Sequence, residues 1–427
     1  MGQVRETSRD YRHPHRPPPV RWVNAAGERL WAVGLLPRPR FDPDELIRRA
    51  VRAEGRSDLG AEDYREPLDR LCRALETEAR LTPAGALIAR KRVVDALRNR
   101  LRVEAAARAH PAVVARPMAP PVLIVGLQRT GTTFLQRLLG ADPRLRPLRS
   151  WEALAAVPGR RGPPGGEDPR RAAARQAERG LRYLAPDFFA VHPVDADGPE
   201  EEVLLMDPSF RTPVPEATFR VPSFRRWLED DGTDLGPGYD YLRKSLALLS
   251  ADGGEAAVPD PRPWLLKSPA HLEYLDLVLA TFPGVRILHT HRDPLETVAS
   301  FCSMVAHGRG IFSDQVDPEE VGAEWLGKTA RLVRRALDTR DRVGDAAFLD
   351  VGYRELVADP MGTLDRIYRF LDLDLPGDVR AQLEARRRAS PQHRFGKHVY
   401  ALSDFGLRRD DVREAFQAYR ARFGMTA

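Results

Sequence analysis

Apolar positions along the chain follow two patterns. Between Asp42 and about His110 they recur in steps of three and four, at Leu46-Ile47, Leu68, Leu71, Leu75, Leu87-Ile88, Val93-Val94, Leu97 and Leu101. That spacing predicts three or four helices, each with one buried face. Their starts are placed near Asp42, Pro67 and Thr82-Pro83, because proline fits a first helical turn. Beyond Pro117 short apolar runs take over: Val122–Val125, Trp264–Leu266, Val285–Leu288 with Arg286 inside it, and Ala347–Leu349 leading into Val351–Tyr353. Runs of this length without alternation predict strands covered on both faces. Helical spacing returns between them, at Phe134, Leu135, Leu138 and Leu139 before Gly140, and at Leu272, Leu275, Val278 and Leu279. Strands alternating with helices predict an α/β three-layer sandwich around a central parallel sheet, with ligands at the carboxyl ends of its strands.

This pattern divides the chain into an Arg- and Pro-rich arm (1–40), a helical extension (41–116), an α/β core (117–375) and a C-terminal segment with a helix (376–427). A polar stretch from Pro158 to Arg182 reads as an exposed insertion leading into a helix. The extension is expected to pack on the core and shape a pocket.

The first predicted strand runs into Gly126-Leu-Gln-Arg-Thr-Gly131-Thr132-Thr133. This is the frame of a phosphate-binding P-loop, G-x-x-x-x-G-K-[S/T], with both glycines and the final hydroxyl in place but Thr132 where the lysine belongs. Strand, glycine loop and helix stand in the required order, so backbone amides and a helix N-terminus can meet an anion. Arg129 adds a planar two-pronged cation inside the loop. Without the lysine, ATP and GTP are poor candidates.

Of the 67 basic residues only five are Lys, and the Arg residues are spread along the chain, so basicity does not point to nucleic acid. The net charge of +6 suits an enzyme of anionic ligands. Cys72 and Cys302 stand far apart and are expected to be reduced core residues. Apolar runs are too short to span a membrane, and the N-terminus reads as neither a secretion signal nor a myristoylation site. A cytoplasmic location is expected.

Against this background of arginine, Lys267 at the end of a buried run stands out as a compact cation that Arg's planar fork would not replace. Arg292 ends the next run, Asp293 can cap the following helix, Pro294 fits its first turn, and Ser300 lies about two turns in. Together Arg292 and Ser300 could hold a second phosphate.

The phosphate loop, Lys267-Ser-Pro-Ala-His271, and His291-Arg292-Asp293-Pro294 with Ser300 resemble the sulfotransferases that use 3′-phosphoadenylyl sulfate (PAPS). The likeness is to the bacterial branch similar to protein-tyrosine sulfotransferases, and it runs from about Pro121 to Phe405. It includes His192-Pro-Val-Asp-Ala-Asp-Gly-Pro-Glu-Glu201 and Arg394-Phe-Gly-Lys-His398. The resemblance implies that Arg129, Thr130, Gly131, Thr132 and Thr133 bind the 5′-phosphosulfate, that Arg292 and Ser300 bind the 3′-phosphate, and that Tyr353 contacts adenine. It also implies that Arg394 and Lys397 close over the 3′-phosphate end.

Sulfuryl transfer, like phosphoryl transfer, asks for positioned cations, in-line geometry and a base. Arg129 and Lys267 would supply the charge, and no metal is required. For the base the resemblance favours Glu152, with His271 as the rival; Glu201 and His192 are candidates to face the acceptor or to serve structure. A P-loop kinase or other phosphotransferase would need the missing lysine and a strand-end Asp for Mg²⁺. The presence together of Arg129, Lys267, Arg292, Ser300 and a plausible base argues against a non-catalytic cofactor-binding scaffold. Phe188, Phe189, Phe210, Phe219, Phe224 and Trp227 hint at an apolar acceptor; a hydroxyl or amine of a small molecule, lipid or carbohydrate is expected.

Overall fold

The structure, a computed structural model, describes residues 6–159, 166–251, 260–389 and 398–425. Among these, five parallel strands form one sheet: β1 (Val122–Gly126), β2 (Arg146–Pro147), β3 (Trp264–Lys267), β4 (Arg286–His291) and β5 (Phe348–Gly352), in the order β2-β3-β1-β4-β5. Side chains alternate across the sheet. Val122 and Ile124 of β1 face a cluster with Leu135, Leu138, Leu364 and Leu383, while Leu123 and Val125 face a larger one with Leu266, Leu272 and Val298. Helices therefore cover both faces, which makes the three layers the apolar runs predicted. The two-residue β2 carries no apolar run of its own and exists only through its pairing with Trp264 and Leu265 of β3.

β1 sits mid-sheet, with β3 on one side and β4 on the other. The chain leaves β1 in opposite directions for those neighbours, so a crevice opens at its carboxyl end. There β1 delivers the glycine loop, β3 Lys267 and β4 Arg292.

The helical extension packs against this core. Helix Pro43–Glu54 is capped by the Asp42 carboxylate, and helix Pro83–Ala109 by the Thr82 hydroxyl. The helix expected near Pro67 starts two residues earlier, at Arg65, behind a 3₁₀ turn over Glu62–Tyr64. Leu68, Leu75, Leu97 and Leu101 join the same apolar cluster as Leu123 and Leu266. Arg100, buried on the long helix, donates to the carbonyls of Leu59, Ala61 and Pro208 and to Asp63.

The N-terminal arm contains a helix, Pro18–Ala32, that its composition concealed. Ahead of that helix the arm lies on helix Pro294–Gly310 and on the C-terminal segment. Tyr11, 3% exposed, donates its hydroxyl hydrogen to Ser303 Oγ at 3.0 Å. Arg9 pairs with Asp404, and the Val399 amide donates to Thr7 Oγ1 at 3.1 Å.

Deep beneath helix Pro318–Val343, Lys328 Nζ lies 2.7 Å from Glu273, 3.1 Å from Glu216 and 3.2 Å from Glu229. Three carboxylates on one ammonium leave a surplus of buried negative charge. Burial pushes the Glu216 carboxyl up to about 7, against the pull of Lys328.

Candidate active site

The glycine loop is shaped by what it cannot accommodate. A Cβ on Gly126, whose φ is +150°, would lie 2.2 Å from Thr290 Oγ1 and 2.5 Å from the Thr290 carbonyl oxygen, so the close approach of β1 to β4 requires glycine. Arg129 itself adopts a left-handed conformation (φ +72°), at a cost of about 1 kcal/mol, which lifts its side chain out of the turn. No side chain caps the helix that starts at Thr132 behind Gly131, so its first amides face the mouth of the loop. Together these features make a cradle that fits an anionic phosphate or sulfate group.

Within the loop the threonines divide. Thr130 is fully buried, its hydroxyl 2.6 Å from both the Leu127 carbonyl and the Thr290 hydroxyl, so it ties the loop to β4 rather than reaching outward. Thr133 is half-buried on the first helical turn, while Thr132 beside it is buried.

Arg129 reaches solvent, yet protein crowds it. Lost hydration, and then the nearby Arg292 acting against the tyrosines 400 and 353, pull its pKa below the ordinary guanidinium value. It donates to the Val191 carbonyl at 3.2 Å, next to His192. Arg292 donates to the Arg129 carbonyl at 3.1 Å and to Glu296 at 2.8 Å, and lies 4.2 Å over the Tyr353 ring. Tyr353 in turn closes over Gly131, where a Cβ would come within 3.1 Å of its ring.

Ser300 is buried, its hydroxyl 3.3 Å from His398 Nδ1. The other ring nitrogen, Nε2, is 2.9 Å from Ser303 Oγ, the atom that Tyr11 also reaches. A relay of Tyr11, Ser303, His398 and Ser300 thus links the arm to the side chain expected to hold the 3′-phosphate. Burial, then the charge of Arg129, pulls His398 down to about 3, so the ring is neutral. Sequence reading missed Tyr11 and Ser303: residues hundreds of positions apart leave no local signal. Arg394 and Lys397 lie outside the described residues.

At the end of β3, Lys267 Nζ is buried and 2.5 Å from Glu201 Oε1, while Ser268 donates to Glu201 Oε2 at 3.1 Å. Burial alone would raise the Glu201 carboxyl, but Lys267, His192 and Ser268 hold it below its usual value. His192 is lowered in turn, by burial first and then by Lys267 and Arg129 against the pull of Glu200 and Glu201. His192 is therefore close enough to feel both Arg129 and the Glu201–Lys267 pair.

The two bases expected from sequence are otherwise engaged. Glu152 Oε2 accepts the Arg149 amide at 2.9 Å, capping helix Ser150–Leu154, and Oε1 meets the Arg146 guanidinium at 3.2 Å. His271 is buried with Nε2 at 2.8 Å from Glu202 and Nδ1 at 2.8 Å from the Tyr239 hydroxyl. Burial raises Tyr239 well above the usual phenol value, so it remains a donor to Nδ1 while Nε2–H donates to Glu202. Glu202 also accepts the Lys267 amide at 2.7 Å. This chain fixes the β3 end from behind.

Cross-strand pairing also brings His289, His291 and Asp350 together, their ligand atoms within 4.8 Å, which linear spacing could not reveal. Arg340 grips both Asp350 oxygens and touches His289, so a side-chain cation already occupies the position a metal would need. Of the aromatic residues expected near the acceptor, Phe189, Phe210, Phe219 and Phe224 are core; Phe188 and Trp227 are half-buried.

A family model described as "Sulfotransferase family" matches residues 120–377, well over half of the chain. This chain belongs to the sulfotransferase family and is a sulfuryl-transferring enzyme. It is similar to the crystal structure of sulfotransferase STF1 from Mycobacterium tuberculosis H37Rv, with 32% identity, 88% of this chain and 98% of that one covered, and a TM-score of 0.75. Sulfotransferase STF9 from Mycobacterium avium is similar as well, with 27% identity, coverage of 89% and 96%, and a TM-score of 0.78. A curated relative in Mycobacterium bovis and M. tuberculosis, the omega-hydroxy-beta-dihydromenaquinone-9 sulfotransferase Stf3, is 25% identical over 281 residues, 64% of this chain and 67% of the relative.

Proposed function

We propose that the donor is PAPS and the acceptor a hydroxyl on an apolar, lipid-like molecule. The observation that carries this reading is the pairing of buried Lys267 with Glu201 at the β3 end, with His192 feeling both that pair and Arg129 of a P-loop that lacks its lysine. PAPS has no β,γ-phosphate pair for that lysine to bridge, so Arg129 and a lysine from another strand supply the charge instead. Arg292 and Ser300 are assigned to the 3′-phosphate, Tyr353 to adenine, and the loop amides with Thr132 and Thr133 to the 5′ side. A lipid-like acceptor is supported by the menaquinone-derived substrate in the name of the curated relative.

The donor supplies a sulfuryl group bound to a phosphate leaving group. Lys267 and Arg129 oppose the negative charge that grows on the bridging oxygen as the sulfur–oxygen bond breaks. Glu201 takes the proton of the acceptor hydroxyl as the new oxygen–sulfur bond forms. Before the donor arrives, Lys267 holds Glu201 as a weak base. Once Lys267 turns toward the leaving oxygen, burial raises the Glu201 carboxyl toward a value useful for proton transfer. Donor binding thus primes the base, and the donor binds first.

Calorimetry should find 3′-phosphoadenosine 5′-phosphate bound without Mg²⁺ and in preference to ATP, and labelled donor should turn over with hydroxylated lipids. Tight ATP binding that depends on Mg²⁺ would refute the donor; turnover with sugars or phenols but not lipids would refute the acceptor class.

A further inference from the structure

We infer that helix Pro18–Ala32 and the residues just after it form a docking surface for membranes with anionic headgroups. The inference goes beyond the reaction and stands on the helix surface alone. The helix presents to solvent the face that helices in soluble proteins usually bury. Its inner side is Asn24 and Gly27, flanked by half-buried Val20 and Trp31: the Asn24 carboxamide oxygen accepts the Ala84 amide at 3.0 Å, and a Cβ on Gly27 would strike the Pro83 ring at 2.7 Å. Trp22, Val23, Ala26, Leu30 and Val33 follow the three-four spacing of an apolar stripe, and all are exposed, Trp22 at 77%. Leu35 and Leu36 extend the stripe past the helix end, where both amides fold back to the Leu30 carbonyl. Scattered exposed apolar residues need no explanation, but a continuous stripe on one element does.

The charges select the occupant. Arg21, Arg29, Arg38 and Arg40 are exposed around the stripe, and Glu28 is the one acidic residue from 18 to 40. A second copy of the chain would bring its own four arginines against these, an arrangement that a symmetric interface resists. Anionic headgroups complement them, and a basic helix with Trp and Leu on one face fits the boundary between headgroups and acyl chains. The helix follows directly on the arm that carries Tyr11, so docking would hold the sulfuryl-transfer site close to the bilayer.

Vesicle flotation of the full chain tests this without donor or acceptor, so it does not depend on the proposed reaction. The chain should float with phosphatidylglycerol-containing vesicles and not with pure phosphatidylcholine, and salt should weaken the binding. Trp22→Ser with Leu30→Ser should cut the floated fraction ~10-fold or more. Arg21→Glu with Arg38→Glu should abolish the preference for anionic vesicles. All four positions are exposed, and an unchanged melting temperature would verify folding. A wild-type chain that stays unbound with both vesicle types, or Ser variants that float like wild type, would overturn the inference. So would a wild-type dimer, by sedimentation equilibrium without vesicles, that Trp22→Ser with Leu30→Ser turns into a monomer; the face would then belong to a second copy.

Discussion

At the residue scale the sharpest question is which carboxylate takes the acceptor proton. Both carboxylates have both oxygens engaged, Glu152 on a helix cap and Arg146, and Glu201 on Ser268 and on Lys267, the cation we assign to the leaving group. Glu201→Gln should lower kcat ~10²-fold or more while calorimetry finds nucleotide binding within a few-fold of wild type. Glu152→Gln should retain turnover and lose about 1 kcal/mol of stability in a denaturant melt. The opposite result would return the role to Glu152. Gly126→Ala should abolish nucleotide binding, since its Cβ has no space beside Thr290. The loop, Lys267, Arg292 and Ser300 were legible because each stands at a strand end or at a set distance from one. The partner of Lys267 was not, because Glu201 reaches it from a segment with no regular period and the contact is purely tertiary.

At the element scale, the parallel strands were readable because burial on both faces leaves continuous apolar runs, and only the two-residue β2 escaped. The arm shows the opposite case. Its proline-rich composition hid a helix, because Pro18 and Pro19 sit in the first helical turn, where no amide hydrogen is missed. Tyr11 couples the arm to Ser300 through Ser303 and His398. Tyr11→Phe removes one buried hydrogen bond, worth about 1 kcal/mol. It should weaken binding of 3′-phosphoadenosine 5′-phosphate ~5-fold or less while leaving ATP binding unchanged. An equal loss for both nucleotides would mean that the relay serves folding rather than the 3′-phosphate.

For the molecule as a whole, the buried charges beneath helix Pro318–Val343 tie stability to pH. Glu216 is pushed from the ordinary 4.5 up to about 7, chiefly by burial. Between those values the folded chain keeps a proton that the unfolded chain has released. The contribution of this residue to stability is therefore full below about pH 4.5 and is lost as pH rises through about 7. Glu216→Gln mimics the protonated acid. Between pH 5 and 8 the melting temperature of wild type should fall relative to the variant; parallel curves would remove Glu216 from the account. No helix among the described residues is long and apolar enough to cross a membrane.

The joining of Thr7 to Val399 and of Arg9 to Asp404 also sets an order in time. The arm leaves the ribosome before the core and its partners on the C-terminal segment leave after it, and domains fold as their chain becomes available. The glycine loop and its strands can assemble while synthesis continues; the relay onto Ser300 cannot. A nascent chain halted after β5 would carry the phosphate cradle without His398, with the arm that should cover it still unplaced.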